Sequence, residues 1–251
     1  MCFETTARPP APPRTGFLDR HERLTLRSDA DFAATFARTT RENAPGVVVL
    51  PDVRGLHPYY EALAEAFADA GVHALAIDLY GRTAGAEPRG DDFEWQPHRA
   101  AATDEGVLAD VRAAIAELRS RGAVSVFVMG FCFGGRAAFL SATLDDVAGV
   151  VGFYGWPTRA SENGTSPVEE ARAGNFRTPV LALYGGADEG IPESDVQAFA
   201  QALSDAGVLH ETVVYEGAPH SFFDRAMAEH TDACADAWRL MLRFFGVPAT
   251  T

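Results

Sequence analysis

The segment from Val124 to Ala138 reads V-S-V-F-V-M-G-F-C-F-G-G-R-A-A and leaves the chain few ways to fold. Val124 to Met129 is a short apolar run rich in β-branched residues, the pattern of a buried strand. Gly130-Phe131-Cys132-Phe133-Gly134 fits glycine-x-nucleophile-x-glycine, with cysteine where serine is usual. Arg136 to Leu140 are good helix formers. A strand, a sharp turn and a helix make a nucleophile elbow. The nucleophile of such a turn sits in strained backbone, and side chains at the flanking positions would strike the neighbouring strand and helix. The thiol then lies at the positive end of a helix, which is expected to favour thiolate. The plain alternative is a small buried cysteine in a glycine-rich turn, so the rest of the chain must supply the partners.

A chain of 251 residues suits one large α/β domain. Residues 1–20, with Pro9-Pro10-Ala11-Pro12-Pro13, read as an extended or partly disordered extension, and 21–251 as a single domain. The net charge is −14 and all 21 basic residues are arginine, which argues against a nucleic-acid or anionic-membrane partner. Three cysteines, Cys2, Cys132 and Cys234, have no paired spacing and read as reduced. Neither a signal-peptide core nor a run long enough to span a membrane is evident, so a cytoplasmic location is expected.

Arg23 to Arg27 and Asp31 to Arg38 alternate weakly and predict two antiparallel edge strands. Gly46 to Pro51, Val72 to Ile77, Val147 to Phe153, Pro179 to Tyr184 and Glu211 to Tyr215 read as further strands. Helices are predicted from Pro58 to Ala70, Thr103 to Arg121, Pro192 to Ala206 and Ala226 to Phe245. Thr83 to His98 is polar and long enough for a functional loop or lid, and Thr158 to Arg177 is a polar insertion. Strands alternating with helices imply a mostly parallel, twisted sheet of about seven or eight strands with helices on both faces. In such sheets the chemistry gathers at the C-terminal strand ends.

Those ends supply Asp52, Asp78, Cys132, Tyr154, Asp188 and His220. A thiol nucleophile needs an imidazole, and the imidazole needs a group that fixes its tautomer. Of seven histidines only His220 follows the final strand in a Gly/Pro turn. His73 and His210 fall in strands and His230 on a helix, while His57 and His98 remain alternatives in loops. Asp188 follows a strand in a G-G-x-D turn. The order nucleophile, acid, histidine is that of an α/β-hydrolase. Taken singly, Asp188 could cap the next helix and His220 could be a solvated loop residue.

The G-x-C-x-G-G elbow, D-L-Y-G-R, G-G-x-D and G-x-x-H-S-F segments resemble the dienelactone hydrolases (carboxymethylenebutenolidases), α/β-hydrolases with a Cys-His-Asp triad. The resemblance runs from Gly46 to the C-terminus. It implies Cys132 as nucleophile, His220 as base and then acid, and Asp188 as orienter. It also implies backbone N–H groups of Phe133 and Val53 as the oxyanion hole. The family keeps a glutamate near the nucleophile, where this chain has the shorter Asp52, a residue expected to modulate the thiol. Arg82 matches one substrate-binding arginine. Arg225 falls one place late for the second, and Asp224 takes the matching position. Tyr80, Trp95, Tyr154 and Trp156 are candidates to line an apolar pocket.

The resulting expectation is a hydrolase that opens a small, carboxylate-bearing lactone or ester through a thioester intermediate. No metal-ligand spacing and no G-x-G-x-x-G loop is present, so no cofactor is expected. A monomer or homodimer acting on a small molecule is anticipated. The alternatives are a cysteine esterase or thioesterase with an unrelated substrate, a non-catalytic small-molecule sensor on the same fold, and, more weakly, a redox-sensing thiol.

Overall fold

Five strands that are buried along their whole length dictate the centre of the molecule: β3 (Gly46–Leu50), β4 (His73–Ile77), β5 (Val126–Phe131), β6 (Gly149–Phe153) and β7 (Val180–Gly185). Residues buried on both sides of a strand need cover on both faces of the sheet, the arrangement typical of parallel strands. The computed structural model, which describes residues 7–161 and 164–248, provides it. With β1 (Leu18–Arg27), β2 (Asp31–Thr39) and β8 (His210–Tyr215), the strands form one sheet in the order β1-β2-β4-β3-β5-β6-β7-β8. The pairs β1/β2 and β2/β4 are antiparallel and the remainder parallel.

Two residues of one strand show how the faces are divided. A side chain at Gly149 would strike Phe244 on α8 (Thr231–Phe244), and one at Gly152 would strike Phe139 on α5 (Phe133–Leu140). Odd and even positions of a strand point to opposite faces, so α8 and α5 cover opposite sides. Phe67 of α1 (Pro58–Asp69) packs on Trp238 of α8, with ring centroids 4.6 Å apart. Phe139 of α5 packs on Phe199 of α7 (Glu193–Asp205) at 4.8 Å. α4 (Asp104–Ser120) lies over β3 and β4. Its start is set by Thr103, whose hydroxyl accepts the Gly106 N–H at 3.1 Å. Short helices α2 (Gly81–Ala84), α3 (Trp95–Ala101) and α6 (Pro167–Arg172) sit in the connections.

Several boundaries differ from the sequence reading. β2 is interior, because β4 pairs with its far side, so of the two expected edge strands β1 alone is one; β8 is the edge on the other side. β1 begins at Leu18, inside the expected extension. Of the proline-rich segment, residues 1–6 and with them Cys2 lie outside the described residues. The rest is tied down: Trp238 Nε1 donates to the Pro10 carbonyl at 2.8 Å and Arg14 to the Pro248 carbonyl at 3.0 Å. The polar 83–98 stretch ends in the first turn of α3, and the 158–177 insertion contains α6. The last helix starts at Thr231, with His230 as its N-cap, because residues 221–229 form turns instead.

The elbow depends on glycine for contact. β5 runs to Phe131, α5 begins at Phe133, and Cys132 alone makes the turn. A Cβ at Gly130 would overlap the Gly134 carbonyl, and one at Gly134 would overlap the Pro51 carbonyl at the end of β3. Gly134→Ala is therefore expected to cost about 1–3 kcal/mol by overpacking. In a chain of this size that lowers Tm by roughly 2–4 °C per kcal/mol, which calorimetry measures directly.

Candidate active site

At the turn between β5 and α5, Cys132 has φ 53° and ψ −110°, a left-handed conformation that a side-chain-bearing residue adopts only when its surroundings enforce it. Its N–H is bonded to the Phe153 carbonyl of β6 at 3.0 Å, which fixes the turn against the sheet. After β7, Asp188 is buried, and its Oδ1 accepts the N–H groups of Gly190 at 2.8 Å and Ile191 at 3.3 Å. Oδ2 is left to meet His220 Nδ1 at 2.6 Å. The imidazole, carried by the turn after β8, packs against the rings of Tyr154 and Trp156, with centroids 4.9 and 5.2 Å away. The short Nδ1 contact to a carboxylate selects the tautomer that leaves Nε2 as a base.

Among the described residues, no hydrogen bond joins Cys132 Sγ to His220. The thiol's charged neighbours are Asp52, Asp224 and Arg225. Burial, then the charges of Asp52 and Asp224, push the thiol up to about 12, against the Phe133 N–H and Arg225. This corrects the expectation that the helix end would favour thiolate: in the resting protein desolvation outweighs it.

Asp52 is completely buried and serves as a clamp. Its carboxylate accepts the Arg54 N–H at 2.9 Å, Arg54 Nε at 3.1 Å and Nη2 at 2.8 Å, and Arg225 Nη2 at 3.0 Å. Burial works to raise its pKa, but the two guanidiniums outweigh burial and hold it below the ordinary carboxylate range.

Arg82 does not face the nucleophile. Its guanidinium binds Asp29, Ser28 and the buried Asp110 of α4 (2.5 Å to Oδ2), so the place expected to hold a substrate carboxylate is filled by the protein's own acids. Arg225 is directed at Asp52. Tyr80 is buried, and its hydroxyl donates to the Val53 carbonyl at 2.9 Å, which supports the loop after β3; it is not among the residues lining the large cavity beside the elbow. Tyr154 is fully buried behind His220, and Trp95 is half-buried at the start of α3. The N–H groups of Val53 and Phe133 donate to no protein oxygen among the described residues, and the Phe133 N–H faces the Cys132 thiol.

The sequence reading missed the cavity beside the elbow. It measures about 470 Å³ and is lined by Arg99, Thr103, Phe133, Arg136, Trp156 and Arg159, among others. Arg136 forms its floor in a two-pronged pair with Asp104 (2.7 and 2.9 Å). Arg159 stacks on Trp156 with its guanidinium carbon 4.7 Å from the ring and donates to the Gly190 carbonyl at 3.3 Å. Arg99 lies 5.7 Å from the Phe133 ring. Neither Arg99 nor Arg159 meets a carboxylate among the described residues. A smaller cavity of about 160 Å³ lies between β1, β2 and residues 86–88, lined by Arg23, Glu61 and Pro88 among others. Among the described residues no group of His, Cys, Asp or Glu is arranged to hold a metal ion, and no helix is long and apolar enough to cross a membrane.

An eight-stranded, mostly parallel sheet with an elbow after β5, an acid after β7 and a histidine after β8 defines an α/β-hydrolase. The chain belongs to the dienelactone hydrolase family, whose model matches residues 32–248, and it is thereby a carboxylic ester hydrolase. It is 32% identical over 213 residues to an Escherichia coli O157:H7 protein named "Putative carboxymethylenebutenolidase", covering 80% of this chain and 76% of that one. A Bradyrhizobium sp protein named "Probable 2-oxo-3-(5-oxofuran-2-ylidene)propanoate lactonase" is 30% identical over 202 residues, covering 77% and 80%. A solved structure from Klebsiella pneumoniae subsp. pneumoniae MGH 78578, described as "Putative Dienelactone Hydrolase", superposes with a TM-score of 0.80 at 28% identity, over 90% of this chain and 98% of that one.

The cavity floor has a pH signature. Burial raises the Asp104 carboxyl, but Arg136 and Ser161 outweigh burial and leave it below its ordinary value of 3.8. A lowered carboxylate contributes stability above that value and loses it as pH falls through the folded-state range. Asp104→Asn is expected to cost about 2 kcal/mol at neutral pH. The deficit in Tm against wild type should shrink as the pH is taken below about 4.

Proposed function

We propose that this hydrolase opens a small lactone or ester bearing an anionic group, by acyl transfer to Cys132 with His220 and Asp188 as its partners. The observation that carries the reading is the 2.6 Å His220–Asp188 contact at the same C-terminal edge of the parallel strands as the left-handed Cys132. The substrate is assigned to the 470 Å³ cavity, which reaches the elbow at Phe133 and the histidine's neighbour Trp156, with its carbonyl end toward Cys132 and its anionic group toward Arg99 and Arg159, away from Asp104 and Glu105. The names of the relatives support this substrate class, since one is described as a lactonase of a propanoate.

In the first step Sγ turns from the Asp52 side toward the imidazole, and His220 Nε2 takes the thiol proton. The thiolate attacks the carbonyl, and the N–H groups of Val53 and Phe133 hold the oxyanion. Collapse breaks the acyl C–O bond; the imidazolium returns its proton to the leaving oxygen, which in a lactone stays tethered to the acyl chain. Water, deprotonated by His220, then attacks the thioester, and the thiolate leaves and is reprotonated. Asp188 stabilises the imidazolium in both halves without taking its proton. Cys132 and Cys234 are unbridged, which supports action in a reducing compartment.

Hydrolysis of a carboxylate-bearing dienelactone and of p-nitrophenyl acetate tests the reading. Cys132→Ala should abolish turnover of both, and Asp188→Asn should lower kcat by about 10⁴. Arg159→Ala should raise KM for the anionic lactone about tenfold, the worth of one charged hydrogen bond, and leave the acetate unchanged. Arg82→Ala should not discriminate between them. Equal losses on both substrates in Arg159→Ala would reject the anion assignment, and full activity in Cys132→Ala would reject the nucleophile.

A further inference from the structure

Two carboxyl groups share a buried cluster behind Cys132, and they are served unequally. Asp52 is held by Arg54 and Arg225. Asp224 is just as buried but receives one hydrogen bond, from the Tyr60 hydroxyl at 3.2 Å, and its Oδ1 has no partner among the described residues. The Tyr154 hydroxyl adjoins Asp224 and interacts with its carboxyl group without reaching ideal hydrogen-bond geometry. The surrounding elements supply few other charged or titratable groups. The loop after β3 gives Asp52 and Arg54, and α1 gives Tyr59 and Tyr60. The elbow gives Cys132, the end of β6 gives Tyr154, its own turn gives Arg225, and α8 gives Cys234.

An ionised carboxylate normally gathers several strong donors, and a buried one met only by phenols, with one oxygen left over, is poorly solvated. Beside the ionised Asp52 it is also repelled. We propose that Asp224 is a positioning residue that gates the nucleophile: its carboxylate form withholds the thiolate of Cys132, and its protonated form relaxes that restraint. The proposal rests on Cys132 being the nucleophile assigned above. Burial and the charge of Asp52 push Asp224 up to about 6, against Arg225, Arg54 and Tyr154, so the gate works near neutrality. The same Asp224 charge opposes ionisation of Cys132. As pH rises Asp224 gives its proton to solvent, and the thiol becomes harder to ionise.

Alkylation by iodoacetamide, read by mass spectrometry on the Cys132 peptide, reports thiolate without any need for turnover. In wild type the logarithm of the rate should climb with pH at unit slope, interrupted by a step near about pH 6, where Asp224 ionises. Imidazoles titrate in the same range, so the profile is repeated in His220→Gln, where the step should persist. In Asp224→Asn the step should vanish, and the rate at about pH 8 should rise about tenfold, one unit of thiol pKa. A step lost with His220, or an Asp224→Asn profile matching wild type, overturns the gate. If Asp224→Asn does not fold, the His220→Gln profile decides alone. Activity that survives Cys132→Ala would instead refute the nucleophile, while the alkylation profile still judges Asp224.

Discussion

The left-handed backbone at Cys132 is held by three close approaches, and the geometry of the site follows from them. Gly130 lies against the Gly134 carbonyl, Gly134 against the Pro51 carbonyl and Gly135 against the Phe153 carbonyl. Strain of this kind costs of order 1–3 kcal/mol and persists only where packing over-determines it. These contacts bring the first turn of α5 onto the ends of β3 and β6. That proximity sets the Phe133 N–H beside the loop carrying Val53, and Tyr80 holds the loop from behind through the Val53 carbonyl. On the proposed function, the two N–H groups that would hold an oxyanion are a by-product of how closely helix and sheet meet.

Two buried aspartates at strand ends show how partners decide chemistry. Asp188 receives two backbone N–H groups and an imidazole, so its charge is spent on orienting a base. Asp52 receives two guanidiniums, so its charge is spent on fixing a loop and a turn to each other. The thiol between them is governed by desolvation. A rise from 9.0 to about 12 corresponds to about 4 kcal/mol against ionisation. A helix N-terminus offers typically 0.3–1 kcal/mol and cannot offset it. Thiolate formation therefore belongs to the complex with substrate or to a change in the cluster's charge.

The mostly parallel sheet and the elbow were legible because each rests on a local pattern: apolar runs mark the strands, and the turn follows its run directly. The roles of the arginines were not, because an arginine's role is set by a carboxylate distant in sequence. Arg82 sits in a motif that suggested substrate binding, yet it meets Asp110, 28 positions away. A signal existed: Asp110 falls between Val107 and Val111 on the apolar face of α4, and a buried acid must find a cation. Arg225, one place late in the turn after His220, reaches Asp52 across 173 positions. Nothing local encodes that contact, since it depends on two loops converging at the sheet edge.

The cavity arginines follow the same logic in reverse. Arg99 and Arg159 meet no carboxylate among the described residues, and what sets them apart is their place on the rim of the cavity. Arg99 is carried by α3 and Arg159 by the connection after β6, both in stretches that read as polar surface. Each is laid on an aromatic ring, Phe133 and Trp156, that borders the elbow or the histidine. At long range the protein's charge of −14 repels an anion, but salt screens that field beyond about 8–10 Å. At the cavity Arg136 is neutralised by Asp104, and Glu105 shares the lining, so Arg99 and Arg159 on the exposed rim are the cations with no carboxylate of their own. On the proposal that the substrate is anionic, it is this local contrast with the protein's overall charge, rather than a high affinity at either arginine, that would direct it to the elbow.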